Sequence, residues 1–264
     1  MSGEGTRADG TGRATGRSES GVDDSDHDPE PEPGSADPAT VARGAVYGFL
    51  ATGFEAPDER LHAALREGGA GEHVGRLLDR TGLEVDPPAL RTDDDYETLC
   101  ARYNDLFVLG YSEVIDPTDG TIDSRGPPVP PYESAYRDEV SWRDVNLDLA
   151  RAYEYFGVDV DTEERENHDY APLILEFAGY LCRLEALGND GVADARLDLL
   201  DRHVRPLVEG LAAALGEEAG TGVYGDLGTL ADRFTAAEVA DLAARREDGR
   251  PPNASGDGPG GESG

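Results

Sequence analysis

Lysine is absent from this chain of 264 residues, so all 23 of its basic residues are arginine, and 56 acidic residues set a formal net charge of −33. The segments 1–38 and 249–264 carry −7 and −1 of that charge, which leaves −25 on residues 39–248. A carboxylate-coated surface of this kind suits multimolar salt, where the Debye length is about 3 Å or less and self-repulsion is screened. The composition therefore indicates a cytosolic protein of a halophile.

Long apolar runs are also missing, since none approaches the ~18–20 residues that a membrane span needs. The N-terminus is polar, without the basic and then apolar start of a secretory signal. The chain has no Arg-rich stripe interleaved with aromatic residues, which binding to a phosphate backbone would favour. We therefore expect a cytoplasmic protein with no stable membrane insertion and no nucleic-acid partner.

Sequence motifs of common enzymes are absent as well. The chain has no G-x-S-x-G, no H-E-x-x-H and no C-x-x-C, and the lack of lysine excludes the phosphate-binding G-x-x-x-x-G-K-[ST]. Its two cysteines, Cys100 and Cys182, each lie in an apolar helical pattern. We expect both to be buried, inert thiols, and we favour this over a disulfide in a cytosolic chain.

The composition divides the chain into one domain and two tails. Residues 1–37 are mostly Gly, Ser, Thr, Asp, Glu and Pro with hardly an apolar side chain, and residues 249–264 contain nine Gly or Pro in sixteen. Such segments bury too little apolar surface to offset the loss of chain entropy, so we predict both tails to be disordered. All 18 aromatic residues lie between Tyr47 and Phe234. The folded domain is therefore predicted to span residues 38–248.

Within this domain the apolar residues recur at three- and four-residue spacing, and hardly any stretch alternates as a strand would. This pattern predicts a single all-α domain of about nine helices, with a long loop over residues 110–131. Helix starts are predicted at Asp37 before Pro38, at Asp58, at Thr92, and at Thr235, which has Glu238 at capping-box spacing. Further helices are predicted at Tyr132–Asp138, Val145–Phe156, Asp169–Leu187 and Val192–Leu215.

One candidate binding segment follows the predicted loop and reads PPVPPYESAYRDEV, from Pro127 to Val140. Its prolines stiffen the approach to a helix that begins with Tyr132, Glu133 and Ser134 and continues with Tyr136 and Arg137. Two tyrosines, a glutamate and an arginine within six residues suit peptide recognition. A proline-stiffened loop that merely packs its tyrosines is the alternative.

A second candidate segment runs from Glu166 to Gly188 and is predicted to form an amphipathic helix with Pro172 in its first turn. Glu176 lies in the apolar half of this helix, where it is either part of a site or a solvated carboxylate. The pair His168-Asp169 could suggest a metal phosphohydrolase, but the other histidines lack the spacing that such a site requires. We favour a helix-start role, in which Asp169 accepts hydrogen bonds from N–H groups of the first turn, and we expect no metal.

Together the two segments resemble the TorD/DmsD/NarJ family of redox-enzyme maturation chaperones. The run Asp169-Tyr170-x-Pro172-Leu173-x-Leu175-Glu176-Phe177 is similar to the signature of the NarJ branch, with Tyr170 where the other branches usually have histidine. The run VPPYESAYRD resembles the TorD and DmsD branches instead. Weaker similarity at Val46–Phe54 and at Tyr103–Phe107 extends the resemblance over roughly residues 40–235.

The resemblance implies an all-helical cytosolic chaperone with no enzymatic activity and no cofactor of its own. Such proteins bind the immature molybdenum-containing catalytic subunit of a respiratory reductase, hold it open for cofactor insertion and, in many branches, cover its twin-arginine signal peptide. Nitrate reductase is the first choice of client, and a reductase of dimethyl sulfoxide or a related oxide is the second. By resemblance, the candidate client-binding residues are Tyr132, Glu133, Ser134, Tyr136, Arg137, Asp169, Tyr170, Pro172 and Glu176.

We expect Tyr136 and Phe177 mainly to pack, and Glu133 and Asp169 to be more exposed. Two other functions remain open at this point. One is a permanent helical subunit of a dimethyl sulfoxide-type reductase complex, which would stay with the mature enzyme. The other is an HD-like metal hydrolase, which would contain a stoichiometric divalent metal.

Overall fold

Helices make up most of the chain that a computed structural model describes, namely residues 36–116, 121–160, 167–189 and 191–248, without the side chains of 111–124 and 247–248. The nine α-helices of these residues are α1 (Pro38–Gly53), α2 (Glu59–Glu67), α3 (Gly69–Thr81), α4 (Tyr96–Tyr103), α5 (Trp142–Tyr155), α6 (Ala171–Ala186), α7 (Val192–Leu199), α8 (Arg205–Glu217) and α9 (Val223–Asp248). The prediction of an all-α domain with about nine helices is confirmed. The predicted tails, apart from residues 36 and 37, lie outside the described residues.

Three short helical elements and one hairpin complete the part of the fold that the structure describes. They are π turns at Asn104–Val108 and Leu200–Val204, a 3-10 helix at Glu133–Tyr136, and antiparallel strands β1 (Tyr111–Asp116) and β2 (Thr121–Arg125). The hairpin contradicts the prediction of a loop over residues 110–131. Its strands are too short to show a clear alternation in the sequence. Gly110 permits the pairing, because a Cβ at this position would collide with the carbonyl oxygen of Arg125.

Helix starts follow the capping residues in two of the predicted places. The Asp37 carboxylate accepts from the N–H groups of Ala39 and Thr40, and the Asp58 carboxylate accepts from an N–H in the first turn of α2. The start predicted at Thr92 is wrong, because α4 begins three residues later behind Asp95. The Asp95 carboxylate accepts from the first turn of α4 at 2.8 Å.

The start predicted at Thr235 is also wrong, because α9 already begins at Val223. Thr235 is buried in the middle of this helix, and its hydroxyl donates to the carbonyl of Ala231, four residues back, at 2.8 Å. Glu238 does not return to the Thr235 backbone but is fully buried against other helices. Capping-box spacing also occurs inside helices, and glycines at the start of α9 obscured its apolar period.

The core is centred on the crossing of α1 and α6, which pack closely along most of their lengths. Gly44 and Gly179 lie at this crossing, where a Cβ on Gly179 would stand 3.0 Å from the carbonyl oxygen of Gly44. Helix α3 also packs against α1, and α9 packs against α8. In the part of the chain that the structure describes, no helix has both the length and the apolar character to cross a bilayer.

Candidate functional site

The two candidate segments are joined through their backbones. The N–H of Glu133 donates to the carbonyl of Asp169 at 3.0 Å, and the N–H of Ala171 donates to the carbonyl of Pro131 at 2.8 Å. These bonds form an antiparallel bridge between Tyr132 and Tyr170, whose half-buried rings lie 5.7 Å apart between centroids. The residues predicted to act together from two distant parts of the sequence therefore meet in the fold.

Asp169 does not cap its own helix, and the prediction that it is exposed is wrong. Its side chain is fully buried, and its Oδ2 accepts from the N–H of Ser134 at 3.0 Å. Helix α6 begins without a side-chain cap, with Pro172 buried in its first turn. The backbone bridge directs the Asp169 side chain towards the 3-10 helix. Asp169 thus orders the first segment, and its Oδ1 is buried without a hydrogen-bond partner.

Glu133 was likewise expected to be exposed and is fully buried. Its Oε1 accepts from Nη1 of Arg137 at 2.6 Å, and its Oε2 lies 2.8 Å from Nδ1 of His203. Arg137 also donates to the carbonyl of Arg202 at 2.6 Å. Both carboxylate oxygens of Glu133 are therefore occupied by partners within the protein, so Glu133 holds the first candidate segment from its buried side.

Tyr136 and Phe177 pack as predicted. Tyr136 seats its ring against Gly210 of α8, and its hydroxyl donates to the carbonyl of Pro130 at 2.8 Å. Burial raises the pKa of Tyr136 above the usual range of tyrosine. Phe177 is buried and makes an edge-on contact with the ring of Tyr153 at 4.7 Å between centroids. These rings fix the two segments to the core.

Glu176 is exposed on the rim of an open groove beside α6. The groove has a volume of about 520 Å³ and is lined by Gly48, Gly157, Val158, Leu173, Glu176, Phe177, Tyr180 and Arg183. We call it the α6 groove. The hydroxyl of Tyr180 donates to the carbonyl of Phe156 at 3.2 Å, and the guanidinium of Arg183 lies 5.9 Å from the centre of the Tyr180 ring. The α6 groove therefore combines apolar and aromatic walls with one carboxylate and one guanidinium.

Three residues of this region were not anticipated from the sequence. His203 is almost fully buried in the second π turn, and its Nε2 lies 3.1 Å from Oδ2 of Asp148 on α5. Asp148 also pairs with Arg202. We call Glu133, Arg137, Asp148, Arg202 and His203 the motif ion network. Its only signal in the sequence was Pro206, which interrupts the helical ladder just after His203.

A second buried network lies among α1, α6, α7 and α9 and was also missed. Arg196 pairs with Glu238 and, through Nε and Nη2, with Oε2 of Glu185 at 2.8 and 2.7 Å. The hydroxyl of Tyr47 donates to Glu238. Burial raises the pKa of Glu238, and the positive charge of Arg196 opposes that change. We call Tyr47, Glu185, Arg196 and Glu238 the core ion network.

The cysteine prediction is confirmed for Cys182, which is fully buried and whose thiol pKa is raised by burial. Cys100 is only half-buried, so the prediction is wrong for its burial. Both thiols are free. No disulfide links them.

The His168-Asp169 pair serves the fold in the structure. The N–H of His168 donates to Asn146 Oδ1 at 2.6 Å, and its carbonyl accepts from the hydroxyl of Tyr153 at 3.0 Å. Within residues 36–116, 121–160, 167–189 and 191–248, no three His, Cys, Asp or Glu side chains converge as ligands of a metal ion. The hydrogen bonds of His168 and Asp169 therefore connect the start of α6 to α5 and to the 3-10 helix.

Comparison with known proteins identifies a matching family and similar proteins. The family described as "Nitrate reductase delta subunit" matches residues 67–213, which include both candidate segments. The chain is 25% identical over 211 residues to the perchlorate reductase assembly chaperone protein of Dechloromonas aromatica (strain RCB), covering 77% of this chain and 91% of that protein. A crystal structure from Archaeoglobus fulgidus, described as a redox enzyme maturation protein, is 20% identical with a TM-score of 0.41 and covers 76% of this chain and 93% of its own.

Proposed function

Because the chain belongs to the nitrate reductase delta subunit family, we propose that it is a cytoplasmic maturation chaperone and not an enzyme. Its client is the immature catalytic subunit of a molybdenum-containing respiratory reductase, with nitrate reductase as the first choice. It holds this subunit until the molybdenum cofactor has been inserted, before export. The role of the Dechloromonas relative, named as an assembly chaperone, supports the same class of function.

The observation that supports this proposal best is the bridge between Tyr132 and Tyr170. It holds two half-buried aromatic rings side by side at the start of α6. Leu173, Phe177 and Tyr180 follow on α6 at three- and four-residue steps, so these three side chains share one face of the helix. The aromatic pair and the α6 groove therefore offer an apolar path to a client segment.

The α6 groove, lined by one carboxylate and one guanidinium, suits an amphipathic client segment whose arginine meets Glu176. Glu176 is exposed on the groove rim, whereas Glu133 and Asp169 are buried and engaged within the protein. An arginine of the client would pair with Glu176 in the two-pronged geometry that guanidinium and carboxylate share. A twin-arginine signal peptide has this chemistry. Glu133 and Asp169 then act by positioning Tyr132 and Ser134.

The test replaces Glu176 by glutamine, which keeps the side-chain size and removes the charge. We expect Glu176→Gln to bind the cofactor-free catalytic subunit at least about tenfold more weakly, equivalent to roughly 1.4 kcal/mol, with an unchanged melting midpoint. Binding is measured by calorimetry in multimolar potassium chloride. Glu67→Gln, on an exposed position of α2, is the matched control.

Unchanged affinity of the Glu176→Gln variant would remove the α6 groove from the client-binding surface. A second measurement tests the chaperone role itself. The protein should co-purify with the cofactor-free subunit and be absent from the mature, active reductase. Persistent association with the mature enzyme would favour a permanent subunit instead.

A further inference from the structure

His203 lies between two carboxylates with one ring nitrogen directed at each. Its Nδ1 is 2.8 Å from Oε2 of Glu133, and its Nε2 is 3.1 Å from Oδ2 of Asp148. An ionised carboxylate only accepts hydrogen bonds, so each nitrogen has to donate, and imidazole donates from both nitrogens only when it is protonated. A neutral imidazole and two ionised carboxylates carry only one such N–H between them. The geometry therefore requires one additional proton.

The neighbouring arginines indicate where this proton resides. Arg137 donates to the other oxygen of Glu133, and Arg202 pairs with Asp148. Each guanidinium favours the ionised form of its carboxylate, so the extra proton belongs on the ring of His203. Further charged groups near His203 are Asp201 and Arg205, which flank it in and at the end of the same π turn. Asp198 on α7 pairs with Arg202 at 3.4 Å, and Asp144 and Arg151 on α5 line the adjoining cavity.

Pro206 explains why the chain presents His203 at this place. Proline has no N–H, so the carbonyl of Arg202, four residues earlier, loses its helical donor. The N–H of Arg205 instead bonds to the carbonyl of Leu200, five residues back, which forms the π turn. The free carbonyl of Arg202 accepts from Arg137. The same turn thus carries His203 and anchors the residue that holds Glu133.

We infer that protonated His203 is a positioning residue for client binding. It fixes Glu133, the first residue of the 3-10 helix, and thereby the adjacent Tyr132 in its bridge to Tyr170. This inference rests on the proposed function for its effect on the client, but the protonation state of His203 does not depend on that function.

Loss of the ring proton breaks one of the two contacts, because a lone pair then faces a carboxylate. The contact to Asp148 yields first, since the Asp148 side chain is 34% exposed and can turn to water, whereas the Glu133 side chain is fully buried. The cavities on either side, of about 290 and 200 Å³, share Asp148, Arg202 and His203 as a common wall. Release of Asp148 loosens this wall and the support of the 3-10 helix, so client binding weakens as the pH rises.

The direct test is nitrogen NMR of the ring-labelled protein in multimolar salt, with the His203 signals assigned from the His203→Gln variant. Protons on both Nδ1 and Nε2 at neutral pH are expected. A single neutral tautomer at neutral pH would overturn the inference, whatever the client proves to be.

The second test measures binding of the cofactor-free catalytic subunit across pH. His203→Gln, with one amide donor and no charge, is expected to bind about tenfold more weakly and to lose the pH dependence. His203→Lys can donate to both carboxylates and is expected to keep the affinity at neutral pH. His73→Gln, exposed on α3, should behave as the wild type.

If His203→Gln does not fold, Asp148→Asn replaces it. Asparagine still accepts from Nε2 but withdraws one negative charge from the protonated ring, so the loss of binding should move to lower pH. A wild-type pH profile in Asp148→Asn, or wild-type binding and pH dependence in His203→Gln, would refute the positioning role.

Discussion

The two buried ion networks differ in how far they reach towards water. In the core ion network, the side chains of Arg196 and Glu238 are both 0% exposed. The motif ion network starts at an equally buried carboxylate, Glu133, but ends at Arg202, which is 54% exposed. The Arg196–Glu238 pair is sealed inside the helical domain, with Glu185 at its edge only 18% exposed, whereas the motif ion network connects the core to the surface.

This difference separates two uses of buried charge. A fully buried ion pair offsets its cost of desolvation only while both partners are present. Solvent cannot reach such a pair, so it cannot alter the charge of either partner. A network with one end in water can respond to protonation or to a ligand at that end. The motif ion network runs beneath the segment that carries Tyr132, so the response reaches the proposed client-binding surface.

The largest effect is expected from breaking the core ion network. Glu238→Ala leaves Arg196 buried with half of its compensation removed, and we expect a loss of about 3–5 kcal/mol in the free energy of unfolding. Denaturant unfolding in multimolar salt measures it. The double replacement Arg196→Met with Glu238→Leu removes both charges and should recover most of the loss. If the double variant is no more stable than the single one, the pair itself is required for folding.

A smaller effect is expected at the buried end of the motif ion network. In Glu133→Gln the amide N–H₂ faces the donor of Arg137 or of His203, and the amide itself cannot be hydrated at this fully buried position. We expect a loss of about 2 kcal/mol together with weaker client binding. Thermal unfolding and calorimetry on the same samples measure both, with exposed Glu67→Gln on α2 as control. Lost binding at full stability would mean that Glu133 contacts the client directly.

The smallest effect is expected at the exposed end of the same network. Arg202→Ala removes pairs with Asp148 and Asp198, and a solvated ion pair contributes no more than about 1 kcal/mol. In denaturant unfolding at matched salt, Arg202→Ala should therefore have nearly the same free energy of unfolding as Arg76→Ala. The pair that Arg76 forms with Glu72, at 3.9 Å, lies outside both networks. A loss as large as that of Glu133→Gln would show that the network unfolds as one unit.

The parts of the fold that depend on neighbouring residues could be predicted from the sequence. The apolar period and the caps at Asp37 and Asp58 are local, and the helices follow them. Glu133 and Asp169 could not be placed in this way. Their burial depends on the bridge between segments 38 residues apart at Tyr132 and Tyr170, and local spacing carries no information about that pairing.

The residues that support the site were harder still to find. His203 is an isolated histidine in a helical stretch, and its partners come from the 3-10 helix and from α5. Glu238 matched a capping box with Thr235, although the same spacing places it on a buried face of α9. Resemblance to a family named the candidate residues within the two segments, but it could not tell which side chains face the client and which face the core.

The close packing of the Tyr136 ring against Gly210 of α8 predicts a sequence pattern in related chains. A Cβ on Gly210 would collide with the first ring atoms of Tyr136, which cannot swing aside as the end of a long side chain can. Chains that share this packing should therefore vary at the two positions together. A residue larger than glycine at the position of Gly210 should occur only where a small side chain replaces the tyrosine. An alignment can test this as a co-variation between two positions 74 residues apart.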